Sequence, residues 1–93
     1  MFEVGQVVNG IGSTDGCRFS VMSTPEDGIV ELIVDAMNQF WSSPGRDSLK
    51  VNQNVHIKPF KRHSNGEKTW WIFEDPSLPW FVFDEESMTF EAI

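Results

Sequence analysis

Ninety-three residues at 10.6 kDa allow one hydrophobic core, and so a single domain over 1–93, because a chain this short cannot divide its apolar side chains between two. Eight Phe and four Trp in a 40% hydrophobic composition exclude a disordered chain, and no apolar run approaches the ~20 residues that span a bilayer. The net charge of −7 disfavours broad contact with nucleic acid, whose phosphates a mostly acidic surface repels.

Charge is distributed unevenly. Residues 19–45 contribute −4 with no Lys or Arg, residues 69–93 contribute −6, and residues 46–68 hold six of the seven basic side chains and contribute +4. The start, Met1-Phe2-Glu3-Val4, has neither the basic nor the apolar region of a secretion signal. Cys17, the single cysteine, makes neither an internal disulfide nor a structural zinc site, so the expected setting is the reducing cytoplasm without membrane association.

Along the chain, 3–9 and 17–23 read as an antiparallel strand pair, joined by a loop in which Gly10, Gly12 and Gly16 supply conformational freedom. Residues 25–41 follow two patterns. Thr24-Pro25-Glu26-Asp27 has the form of a helix start, and Ile29, Val30, Ile33, Met37, Phe40 and Trp41 recur at helical spacing opposite Asp27, Glu31 and Asp35. Gly28 and the β-branched Ile29, Val30, Ile33 and Val34 support instead a turn into a strand Ile29–Ala36, which would put Glu31 and Asp35 on one face with Ile29 and Ile33. The cleaner separation of charge in the helical projection makes an amphipathic helix the expectation.

Residues 42–48 form a connector, and Asn65-Gly66 predicts a two-residue hairpin turn between extended segments 51–61 and 68–73. A two-residue turn there places Lys61 opposite Trp70, Phe60 opposite Trp71 and Lys58 opposite Phe73. One face then carries His63, Lys68, Lys61 and Trp70 above Pro59, Ile72 and Ile57, and the other carries Arg62, Phe60, Trp71, Lys58 and Phe73. Asp75-Pro76-Ser77-Leu78-Pro79 breaks the chain, 80–83 forms a further strand, and 88–93 is left as a short tail.

Catalytic chemistry finds no support. His56 and His63 are the only imidazoles and point to opposite faces of one strand, so they cannot share a metal. Gly10-Ile11-Gly12 lacks the lysine and the strand-to-helix context of a phosphate loop. Cys17 reads as a small buried hydrophobe, and Asp84-Glu85-Glu86 as a solvated strand end. The expectation is a non-enzyme without metal or cofactor.

The run Phe2-x-Val4-Gly5-Gln6-x-Val8 resembles the first strand of small β-barrels of the Sm-like and Src-homology types. That resemblance implies a five-stranded, strongly bent sheet and, in the Sm-like case, RNA binding and ring assembly. No family site residues carry over, because no Sm-type RNA-contact motif is matched.

Together these signals predict a mainly β (α+β) domain, a five-stranded antiparallel barrel with one amphipathic helix, or alternatively a β-grasp-like open sheet with the helix across it. Two functions follow. The first is an interaction module that meets a protein partner, itself basic or nucleic-acid-binding, through Asp27, Glu31, Asp35, Glu74, Asp75, Asp84, Glu85 and Glu86. The alternative is a single-stranded RNA or DNA binder that stacks bases on Trp70 and meets phosphates with Lys58, Lys61, Arg62, His63 and Lys68. Trp70, Trp71 and Phe73 also read as core aromatics with lysines over their edges. Homo-oligomerisation is a further expectation, since so many Phe and Trp side chains exceed what one small core needs.

Overall fold

The computed structural model describes residues 2–24, 28–38, 46–60 and 69–93. They form seven strands, β1 (Val7–Gly10), β2 (Arg18–Ser23), β3 (Val30–Ala36), β4 (Asn54–Phe60), β5 (Trp70–Phe73), β6 (Phe81–Asp84) and β7 (Thr89–Ala92). Each strand pairs antiparallel with the next, and β7 returns parallel to β1 to close the barrel. Closure gives every described strand a neighbour on both sides. A small β-barrel was expected, but with five strands and a helix; the chain instead closes with seven strands, and the described residues contain no α-helix.

The helix expected over 25–41 is replaced by β3, while Pro25–Asp27 and 39–45 lie outside the described residues. Gly28 has φ +81, a value no α-helix contains, and Ser23 of β2 then pairs with Glu31 of β3. Val30, Leu32 and Val34 alternate into the core, and Glu31, Ile33 and Asp35 stand half-buried on the outer wall. The acids tolerate that wall because neighbouring strands supply partners. Ser23 Oγ and Asn54 Nδ2 donate to Glu31 at 3.4 and 3.3 Å, and His56 Nε2 lies 3.5 Å from it. Ser20 Oγ donates to Asp35, and Arg18 Nε is 3.8 Å away. These cross-strand contacts outweigh the helical charge pattern, which considers only local neighbours.

Two further expectations change. The tail 88–93 contains the closing strand β7, whose Phe90 is fully buried. The β4–β5 register is one residue from that of a two-residue turn at Asn65-Gly66: Phe60 pairs with Trp70, Pro59 with Trp71, Lys58 with Ile72 and Ile57 with Phe73. A one-residue slip exchanges cross-strand faces, and here it brings Ile57, Trp71 and Phe73 together inside the barrel.

The core is built on phenylalanine. Phe19 lies at its centre, with ring centroids 5.0 Å from Phe90, 5.5 Å from Phe83, 5.9 Å from Phe73 and 6.5 Å from Phe81. Mostly edge-on or tilted geometry suits the ring quadrupoles. Phe2 covers one end of the barrel, edge-on to Trp71 at 5.2 Å. The other end holds the loops 11–17 and 74–80 and the described residues 46–53 of the β3–β4 connection, which contribute buried Thr14, Cys17, Leu49 and Leu78. Thr14 Oγ1 donates to the carbonyls of Ile11 and Phe90 at 2.8 and 3.1 Å, tying the β1–β2 loop to β7.

Candidate functional site

At the loop end of the barrel, β5 and β6 are joined by a turn whose geometry follows from its sequence. Glu74 N–H still donates to the His56 carbonyl, 2.8 Å, so the ladder runs one residue beyond β5. Asp75 then turns the chain: its Oδ1 accepts from Ser77 N–H at 2.9 Å and Ser77 Oγ at 2.8 Å, and Leu78 N–H donates to its carbonyl at 3.1 Å. Leu78 drops into the core cluster. Pro79 follows, and because Phe81 and Phe83 point inward, the strand period places Trp80 outward. Trp80 is 64% exposed, and its carbonyl accepts from Ile93 N–H at 2.9 Å, which sets the 62% exposed Ile93 beside it.

Between these elements lies an open groove of about 140 Å³. Ile72, Leu78, Pro76, Pro79 and Trp80 give it an apolar lining, with Glu74 and Asp75 on the turn side and Lys58 on β4. The bonds from Ser77, backbone N–H first and hydroxyl second, hold the exposed Asp75 carboxyl below the ordinary aspartate value of 3.8. Among the described residues neither Glu74 nor Asp75 forms an ion pair. NMR titration is expected to find Asp75 acidified, and Ser77→Ala to recover only part of the shift, since the backbone donor remains. The sign follows from a lowered native value: the stabilisation is complete above the unfolded pKa and is lost as pH falls through the folded one.

The acidic residues expected to bind a partner are dispersed. Glu31 and Asp35 sit on the β2–β4 wall in the polar contacts described above. Glu74 and Asp75 are at the loop end, whereas Asp84, Glu85 and Glu86 are at the opposite end, in the β6–β7 turn where Asp84 Oδ1 accepts from Glu86 N–H at 2.9 Å. Asp27 lies outside the described residues.

Of the residues expected to contact nucleic acid, Lys61, Arg62, His63 and Lys68 also lie outside the described residues, as does the Asn65-Gly66 turn. Lys58 and Trp70 share the outer wall rather than opposite faces, a consequence of the register. Trp70 is half-buried and pairs across strands with Asp84, and the two line a second groove with Val82, Thr89 and Glu91. The carboxylates of Asp84 and Glu91, which share that groove with the indole, are poor company for a phosphate backbone. Val82 faces outward yet is only 1% exposed and stands apart from the core cluster, so the middle of this wall is covered.

Trp80 and Ile93 are site residues that sequence reasoning missed. A signal for Trp80 existed: two inward phenylalanines at 81 and 83, read with period two after Pro79, put the indole outside. Ile93 had no such signal, because its position depends on β7 docking.

The described residues contain no cluster of three or more His, Cys, Asp or Glu side chains able to hold a metal ion, and no helix among them is long and apolar enough to cross a membrane. Fold and site together define a small closed β-barrel with an aromatic, acid-lipped groove at its loop end. Compared with protein-family models, curated proteins and solved structures, the chain finds no match in any of the three.

Proposed function

We propose that this chain is a non-enzymatic interaction module that binds a basic segment of a protein partner through its acidic surface. The observation that carries the reading is Trp80, an exposed indole beside exposed Ile93, at the lip of a groove that also presents Glu74 and Asp75. Exposed aromatic anchors next to fixed charge are the usual energetic centres of protein interfaces. The charge of residues 69–93, six acids and no Lys or Arg, favours a cationic partner and speeds its approach. The cytoplasm fits the single cysteine, buried and reduced.

Fluorescence anisotropy with labelled arginine- and lysine-rich peptides, and separately with single-stranded RNA, tests this at low and physiological salt. Binding of basic peptides that weakens with salt, without RNA binding, is the expected result. RNA binding that weakens with salt and is lost when Lys61 and Lys68 are replaced by Ala would transfer the function to the basic hairpin.

A further inference from the structure

We infer that the groove under Trp80 seats an extended segment of a protein partner carrying an arginine or lysine beside an apolar residue, the cation meeting the Trp80 indole and the carboxylates of Glu74 and Asp75 while the apolar residue covers Ile72 and Leu78. This rests on the interaction-module reading and deepens it by naming the seat and the chemistry of its occupant.

Size is the first argument. A groove of about 140 Å³, open to solvent, accommodates one side chain of an extended segment with its neighbour at the lip, not the face of a folded domain. Order is the second. Pro76 and Pro79 restrict the backbone, the Asp75–Ser77 bonds hold the turn, Leu78 anchors it in the core, and Ile93 fixes Trp80 from the neighbouring strand. A site assembled before the ligand arrives loses little entropy on binding.

Charge selects the occupant. Two acidic residues, Glu74 and Asp75, against one basic residue, Lys58, line the groove, and the Ser77 hydrogen bonds further favour the charged form of Asp75. An indole and carboxylates that line one groove attract a cation through the ring quadrupole and through charge, and a planar guanidinium suits both. A second copy of the chain is a poor occupant, since face-to-face pairing brings each Glu74–Asp75 lip against its equivalent in a chain of net charge −7.

The full chain is titrated by calorimetry and by NMR with a short blocked peptide alternating arginine and leucine, and with analogues in which citrulline or glutamate replaces arginine. The arginine peptide is expected to shift the Trp80 indole N–H and the Ile72 and Ile93 methyl signals, and the citrulline and glutamate analogues to bind at least about tenfold more weakly. Trp80→Ala is expected to weaken the arginine peptide by about tenfold or more, as truncating an interface anchor does. Because that indole is exposed, the melting temperature should hold, which separates lost binding from lost folding. Glu74→Gln with Asp75→Asn should weaken binding and flatten its salt dependence, Asn retaining the turn acceptor, whereas Lys58→Ala should tighten it.

Unchanged affinity in Trp80→Ala overturns the groove while leaving the module reading intact. No binding of the arginine peptide by the native chain overturns both. Tighter binding of the glutamate analogue, or weaker binding in Lys58→Ala, reverses the sign of the occupant and overturns the inference. A concentration-dependent dimer abolished by Trp80→Ala does the same in favour of a second copy.

Discussion

Phe19→Ala is expected to cost about 3–5 kcal/mol of folding free energy, a large share of the about 5–15 kcal/mol that holds a domain folded and enough, at the lower end of that range, to leave much of the chain unfolded. Phe19 has no solvent exposure and meets four other phenylalanine rings contributed by β5, β6 and β7. Truncation therefore removes transfer free energy, four ring contacts and the filling of a space that a closed barrel cannot collapse around. Denaturant titration followed by tryptophan fluorescence measures the loss. A cost below about 1 kcal/mol would mean that the five rings do not form one packed cluster.

Gly10→Ala is expected to destabilise by about 2–4 kcal/mol, the range of severe overpacking, and to lower the melting temperature by roughly 10–25 °C. A Cβ at position 10 would lie 2.8 Å from both the carbonyl carbon and Oγ1 of Thr14, and nearer still to the carbonyl oxygen. Backbone cannot swing aside as a flexible side chain does. Here the obstructed carbonyl accepts from Cys17 N–H at 2.9 Å, and the Thr14 hydroxyl holds Phe90. Gly10 itself pairs with Phe90, one of two register pairs in the parallel β1–β7 seam. Strain therefore falls where the barrel closes, and faster hydrogen exchange at the Asn9 and Ile11 amides, which donate to Met88 and Phe90 of the other chain end, should accompany the lower melting temperature. Normal exchange at those amides with a lowered melting point would move the strain away from the seam.

Gly10 also shows how much a sequence reading captures. It reads as a loop glycine chosen for conformational freedom, whereas its role is to admit the Thr14 carbonyl at close range, and Thr14 becomes a neighbour only after the loop folds back. Alternation and turn residues were sufficient for the β1–β2 pair, for the existence of the β4–β5 hairpin, and for β6. They misled over 25–41, since the outer acids of β3 are matched by Ser20, Ser23, Asn54 and His56, up to 25 residues away in sequence. No local pattern distinguishes a helix stripe from a strand whose polar face is satisfied by other strands.

The candidate site divides in the same way. Glu74 and Asp75 were legible as an acidic pair before a double-proline turn, but what they border was not. Glu31, Asp35, Asp84, Glu85 and Glu86 looked equivalent to them by composition, and the barrel distributes them over one wall and the far end. By itself the sequence determined a small β-rich barrel class and its charge segregation, because these depend on residue type and on neighbours a few positions away. Strand count, register, closure and the gathering of Trp80, Ile93, Glu74 and Asp75 at one end were decided by the tertiary structure. The physical reason is that a strand's inner and outer faces acquire their energies only from the strands packed beside and across from it, and a shift of one residue in any pairing exchanges the two.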